Sequence, residues 1–374
     1  MNVGVYVHLP YCASRCGYCA FAVTTDGSTR GAYLEALARE IDLVATEARD
    51  ETFDTLYLGG GTPSLLPPAD IAGLLERLHG AFDVAAGSEV TLEANPEDVT
   101  ADRRDAWMAA GVTRVSVGVQ SLSDRELAAV GRRHDAARAR EALALLAGRV
   151  PSLSGDLILG LPEQTADSFR ASTRALAESG VDHVSVYLLE ADKSKALEED
   201  RREHPERYPD DDAQAALWLE LSDELRRRGF EHYEISNWAR PGRASRHNRK
   251  YWERTPTLGL GLSAHELWRE RRRANVASLP AYLERLGTGE RPIALDREVG
   301  AEERESERIV LGLRLSDGVA RDEVESWIVR RGDARLREDW EAWREAGLLR
   351  LTADRVALTE RGGLVSNDIL CRFL

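Results

Sequence analysis

The sequence predicts an α/β protein: an open, partial (β/α)6 barrel followed by a smaller C-terminal α+β domain. Three observations carry this expectation. From Val3 to Leu189, short β-branched runs alternate with amphipathic stretches of helical period, and repeated βα units of that length build a parallel sheet with right-handed crossovers. The strand-like runs number six rather than eight, so the barrel should stay open on one side. From about Glu302 the pattern changes to two or three helices and then a pair of short alternating strands.

The first strand runs from Val3 to Leu9 and is stopped by Pro10. A helix over Arg30 to about Ala48 follows, with Tyr33, Leu34, Leu37, Ile41 and Val44 on one face. Next come a strand at Thr55–Leu58, the run Gly59-Gly-Gly-Thr-Pro63 and a helix over Ala69–Ala81. The alternation continues with strand Glu89–Glu93, helix Ala101–Ala110, strand Arg114–Val119 and helix Ala136–Leu146. Strand Asp156–Leu159, helix Asp167–Ser179 and strand His183–Leu189 complete the set.

Beyond it, Asp210–Arg228 is an amphipathic helix with Leu217, Leu221 and Leu225 inward. Gly229–Ile235 is a further strand, a polar loop leads to His247, and the Gly-rich apolar segment Thr257–His265 should be buried against the barrel mouth. Helices over Glu302–Leu315, Arg321–Arg331 and Ala334–Ala346 precede the strand pair in Leu349–Leu358, an order that resembles a winged-helix module. The expected division is 1–230 for the barrel, 231–300 for a connecting segment and 301–374 for the C-terminal domain.

A formal net charge of -14 disfavours a phosphate-backbone ligand. The winged-helix-like segment is balanced in charge, so nucleic acid is not an expected partner. Arg269–Arg273 are interleaved with acids and read as a solvated helix face. No apolar run reaches the ~18 residues of a membrane span. The first strand begins almost at Met1, so no signal peptide is expected. Three of the four cysteines are clustered, a poor disulfide framework and a good metal loop, which points to the reducing cytoplasm.

Those three are Cys12, Cys16 and Cys19, spaced C-x3-C-x2-C in the loop after the first strand. Three thiolates on one short loop can each reach a different iron of a [4Fe-4S] cubane, leaving the fourth iron without a protein ligand. An open metal position is a place for chemistry. A zinc knuckle stays open on spacing alone, with His8 as a further ligand, although no second C-x2-C pair follows to close it. The spacing, at the start of an α/β chain, resembles that of the radical S-adenosylmethionine (SAM) superfamily. The resemblance implies that SAM chelates the open iron through its amino and carboxylate groups. It also places Tyr18 at the family's aromatic position beside the cluster.

Glycines at 59–61 let a ligand approach the backbone closely. No Gly-Lys-Ser/Thr follows, so this is not a phosphate loop, and a plain tight turn is the alternative. Glu93 ends the third strand, Gln120 ends the fourth, Arg132 lies in Gly-Arg-Arg-His, and Asp156 opens the fifth. A carboxylate for ribose hydroxyls, an amide for the methionine part and a guanidinium for its carboxylate are types that SAM calls for. For each alone a satisfied structural polar group is the better reading; all four falling at successive strand ends is the stronger evidence.

With Val-His-Leu-Pro-Tyr-Cys and Gly-Gly-Gly-Thr-Pro-Ser-Leu-Leu, the chain resembles the family of oxygen-independent coproporphyrinogen III oxidase and its relatives, over essentially its whole length. The resemblance implies that Tyr6, Gly60, Gly61, Thr62, Glu93, Gln120, Arg132 and Asp156 contact SAM and that Cys12, Cys16 and Cys19 hold the cluster. The oxidases carry one more cysteine two residues after the triad, where this chain has Phe21. His247-Asn-Arg-Lys-Tyr-Trp252 matches the H-N-x-x-Y-W motif of the family's heme-chaperone subgroup. That resemblance implies heme held by His247 and handed to apo-hemoproteins, mainly of the respiratory chain. A neutral imidazole is a common axial ligand of heme iron, and Tyr251 and Trp252 could pack on the macrocycle.

The alternative for the motif is a capped turn with two core aromatics. His265 is a second, weaker candidate, and its neighbour Glu266 departs from the small polar residue usual there. The alternative function is a coproporphyrinogen oxidase or related radical SAM enzyme acting on a porphyrinogen. Phe21 and the H-N-x-x-Y-W match count against it, and no residue is assigned a catalytic role.

Overall fold

The computed structural model describes residues 2–374. The β-branched runs become six parallel neighbours in chain order: β1 (Val3–Leu9), β2 (Thr52–Gly60), β3 (Asp83–Ala94), β4 (Arg114–Gln120), β5 (Ser152–Leu159) and β6 (His183–Leu188). Their register pairs Tyr6 with Tyr57, Glu93 with Ser116, Ser116 with Ser154 and Asp156 with Ser185. Residues paired across parallel strands share a face, so the polar side chains of the barrel line up on one side of the sheet. The opposite face carries Val5, Val7, Leu56, Leu58, Leu92, Val115, Val117, Leu157 and Val186, all buried.

Helices α1 (Arg30–Glu47), α2 (Pro68–Ala81), α3 (Ala101–Ala109), α4 (Asp124–Ala129), α5 (Ala136–Leu146) and α6 (Ala166–Glu178) make the crossovers. Their starts are written locally. Thr100 and Asp135 cap α3 and α5, and Thr165 with Ser168 forms a capping box on α6. Two more helices, α7 (Lys195–Glu203) and α8 (Asp211–Arg227), follow β6.

Segment 231–300 adds six strands to the same sheet: β7 (Glu231–Glu234), β8 (Asn237–Ala239), β9 (Thr257–Gly261), β10 (His265–Trp268), β11 (Arg271–Asn275) and β12 (Ile293–Glu298). The order is β12-β11-β10-β9-β1-β2-β3-β4-β5-β6-β8-β7, with β12 and β7 at the edges, so the sheet does not close. The barrel is open, as the count of six units implied. Among the described residues no helix is long and apolar enough to cross a membrane.

Four local expectations need correction. Thr257–Gly261 does not lie over the mouth; it is β9, parallel to β1, with Gly259 so close to the His265 carbonyl that a Cβ would sit 2.3 Å from it. The stretch before His247 is not all loop. It holds β8 and ends in helix α9 (Arg246–Trp252), on whose first turn His247 lies. Arg269–Arg273 is not a helix face: Arg269 and Glu270, at φ 48° and 60°, turn the chain into β11. Alternating charge suits a strand equally well when its neighbours supply the acids, here Asp296 for Arg271 and Glu266 for Arg273. Asp156 does not open β5 but stands within it, because Ser152-Leu-Ser-Gly155 is paired despite weak strand propensity.

After α10 (Leu279–Gly287), the C-terminal part holds α11 (Ala301–Gly312), α12 (Arg321–Arg331) and α13 (Ala334–Glu345), and ends in two short helices, α14 (Glu360–Leu364) and α15 (Ser366–Leu370). A small sheet of β13 (Val319–Ala320), β14 (Leu349–Leu351) and β15 (Arg355–Leu358), in the order β13-β15-β14, accompanies them. Ile309, Val324, Trp327, Trp340, Val356 and Phe373 form a core of their own, separate from that of the barrel.

Candidate functional site

Pro10 ends β1 and the chain swings out into the cysteine loop. Two backbone bonds close its neck, Cys12 N to Thr24 O at 2.9 Å and Thr24 N to Pro10 O at 2.8 Å, while Gly17 N reaches Val130 O at 3.1 Å. His8 braces it from beneath. Its Nε2 donates to the Ala22 carbonyl at 2.8 Å, which leaves Nδ1 to accept from the Tyr6 hydroxyl at 3.1 Å. Burial holds the ring below its usual pKa, hence neutral. With both nitrogens engaged, His8 acts here as a strut under the loop. Among the described residues no three His, Cys, Asp or Glu side chains are grouped to hold a single metal ion. A cubane asks each sulfur to reach its own iron.

The three cysteines are half-buried and open onto a cavity of about 400 Å3 at the carboxyl ends of the strands. The Thr62 hydroxyl points at Cys12 Sγ at 3.5 Å, and Arg132 Nη1 lies 3.5 Å from Cys16 Sγ and 3.3 Å from the Tyr18 hydroxyl. Arg132 Nη2 is fixed by Asn95 Oδ1 at 2.7 Å and the Gly118 carbonyl at 2.9 Å. Its buried Nε has no partner. Burial pushes the Cys12 and Cys19 thiols up, partly offset by the Thr62 hydroxyl at Cys12 and the Phe21 backbone at Cys19.

The glycine run is required by space. Gly60 has φ 110°, and a Cβ there would sit 2.6 Å from the His8 ring; a Cβ on Gly61 would meet the Leu9 carbonyl at 2.8 Å. Gly60 N donates to Glu93 Oε2 at 3.0 Å and the Tyr57 hydroxyl to Glu93 Oε1 at 2.8 Å. Even so, burial raises the Glu93 carboxyl to about 7, with Asp156 adding like-charge repulsion. Asp156 is also raised by burial and accepts from the hydroxyls of Ser116 and Ser154. Gln120 closes β4 at φ 65°, a conformation rare outside glycine and asparagine.

Of the residues singled out from sequence, Tyr18, Gly60, Gly61, Thr62, Glu93, Gln120, Arg132, Asp156 and the three cysteines line this one cavity. Tyr6 does not. It packs beside Tyr57, ring centres 6.0 Å apart, with its hydroxyl spent on His8. His247 does not either: it is fully buried below Tyr57, ring centres 5.0 Å apart. Its Nδ1 is 2.8 Å from Thr55 Oγ1 and its Nε2 3.0 Å from the Tyr251 hydroxyl. Burial lowers its pKa to about 3. His265 is exposed on β10, and Glu266 is absorbed by ion pairs to Arg273 and Arg291.

Sequence reasoning passed over Asn95, which joins Arg132 to Thr62, and over Arg114 and Asn248, which line the same cavity. Counting back by twos from Gln120 along β4 reaches Gly118, Ser116 and Arg114, so strand alternation carried the signal for Arg114.

The donor set fits a cluster and an amino-acid-bearing nucleoside. Three thiols face one cavity, a glycine edge admits no Cβ, and a buried guanidinium beside the sulfurs keeps an unpartnered Nε. Comparison with known proteins agrees with this class. Residues 6–176 match the radical SAM superfamily model and residues 299–365 the HemN C-terminal domain model. The chain belongs to the radical SAM superfamily, in the family that combines this core with a HemN C-terminal domain.

Within that family the particular likeness is to proteins named heme chaperone HemW. That of Mycobacterium tuberculosis is 37% identical over 98% of this chain and 93% of its own length. That of Synechocystis sp. is 32% identical over 85% of this chain and 79% of its own. The solved coproporphyrinogen III oxidase HemN of Escherichia coli superimposes with a TM-score of 0.85 over 100% of this chain and 90% of that one. At 22% identity, that likeness speaks for the fold alone.

Proposed function

We propose that this chain is a cytoplasmic heme chaperone of the HemW kind, which binds heme and passes it to apo-hemoproteins, mainly of the respiratory chain. Cys12, Cys16 and Cys19 would hold a [4Fe-4S] cluster, and Tyr18, Gly60, Gly61, Thr62, Glu93, Gln120, Arg132 and Asp156 would hold exchangeable SAM. Tyr6 would act through His8 and Tyr57. When bound, the cluster supplies an electron-transfer centre next to the sulfonium of SAM. The residues around it orient the nucleoside, with the Gly60 edge and Thr62 for its amino group, Arg132 for its carboxylate and Glu93 for its ribose.

The observation that carries the heme reading is the His247–Trp252 motif on a chain with Phe21 where the oxidases place a further cysteine, together with full-length similarity to HemW proteins. The state of His247 supports it: with its pKa lowered to about 3 by burial the ring is neutral at neutral pH, the form that ligates iron through its unprotonated nitrogen. Ligation requires the Tyr251 hydroxyl to leave Nε2, and Tyr251 is itself 40% exposed.

Heme titration of the anaerobically reconstituted protein tests this. Wild type should give a Soret shift that His247→Ala loses, and Tyr251→Phe, which removes the competing hydroxyl, should bind heme at least as tightly. Incubation with coproporphyrinogen III, SAM and a reductant should yield no protoporphyrinogen; appreciable turnover would return the alternative, oxidase reading.

A further inference from the structure

The cavity is longer than the nucleoside site at its mouth. Its wall follows β4 from Gln120 down to Arg114, and six residue steps of parallel strand span about 20 Å. Most of the residues proposed for SAM lie towards the Gln120 end, while Glu93 and Asp156 stand level with Ser116, two residues from Arg114. At the other end, Arg114 is 3% exposed, and its one hydrogen-bond partner among the described residues is Ser152 Oγ, at 3.2 Å. Its Nε has no partner, and no carboxylate among the described residues forms an ion pair with it. Asp156 feels its charge but spends its oxygens on the hydroxyls of Ser116 and Ser154. From α9, Asn248 lines the same cavity. Only its backbone N–H is bonded, to Ser245 Oγ at 3.2 Å, so its side-chain amide is free.

A buried guanidinium without a carboxylate is costly to keep. The fork of an Arg matches a carboxylate's two oxygens, and a neighbouring amide can add a third donor. A fixed cation and an idle amide facing one void make an anion receptor. We propose that Arg114 and Asn248 form a subsite on the cavity floor for the carboxylate of a second, small organic acid. The bland alternative is that Arg114 merely ties β4 to β5 through Ser152. The two readings part over stability, because an unpaired buried charge can be removed at little cost, whereas a structural tie cannot.

Calorimetric titration of the full-length, anaerobically reconstituted protein with sodium propionate, and with propionamide as the neutral isostere, tests the subsite. Saturable propionate binding, weakened tenfold or more in Arg114→Gln and absent for propionamide, is expected. SAM affinity, cluster absorbance and melting temperature should match wild type in that variant. Equal response to propionate and propionamide, or propionate binding that survives Arg114→Gln, overturns the proposal. So does a parallel fall in SAM affinity, which would assign Arg114 to the nucleoside. A large fall in melting temperature or failure to fold in Arg114→Gln favours the tie to Ser152 and overturns the proposal, as does unchanged propionate affinity in Asn248→Ala.

Discussion

At Gly60 one missing methyl group decides whether the site can form. The backbone there holds φ 110° with the His8 ring in the place a Cβ would take, and its N–H is committed to Glu93. Gly60→Ala should therefore cost about 2 kcal/mol or more in denaturant unfolding and lower the iron retained per chain after reconstitution. Glu93 shows the opposite trade. Its folded pKa, about 7, lies above the 4.5 of a free glutamate, so its contribution to stability is present below about pH 4.5 and lost as pH rises through 7. Glu93→Gln should be the more stable protein at pH 8 by an amount of order 1 kcal/mol, the gap closing towards pH 5, while binding SAM more weakly. Denaturant midpoints of both proteins across that pH range check the sign.

At the scale of elements, α9 is held by its first turn. Glu89 accepts from the backbone N–H groups of Arg246 and His247, both at 3.0 Å, and from the Ser245 hydroxyl at 3.3 Å. A carboxylate against a helix N-terminus adds to the cap that Ser245 already supplies. Glu89→Ala should cost about 1 kcal/mol and raise amide exchange across residues 246–252 more than elsewhere. The same variant should quicken heme ligation, because loosening α9 frees His247. A sequence reading that takes the approach to His247 as loop cannot anticipate this. The acid that caps the helix lies more than 150 positions earlier, on β3.

For the whole molecule, the two cores meet through backbone bonds, Ile235 N to Arg314 O at 3.1 Å and Ser316 N to Tyr233 O at 3.0 Å, and through charged contacts. Glu307 on α11 takes Arg254 at 2.8 Å and Arg272 at 2.6 Å, and the Arg254 side chain is only 7% exposed. Removing the shared acid leaves Arg254 with Glu270 alone and Arg272 without its carboxylate. Glu307→Ala should destabilise the chain by roughly 3 kcal/mol, towards the lower end for a broken buried pair. The C-terminal core should then unfold before the barrel, seen as two separated transitions in place of one.

The sequence by itself determined the period of the βα units, the open sheet, the cysteine loop and the residue types along its mouth. All of these are local: strand alternation, helix faces, caps and the C-x3-C-x2-C spacing act within a few residues. Tertiary structure alone decided that segment 231–300 joins the main sheet, that His247 is buried against Tyr57, and that Arg114 lines the cavity without an ion pair among the described residues. Each of those depends on which strands become neighbours and in what register. Whether a charge or an imidazole finds a partner is settled by residues far away in the chain, which no local pattern encodes.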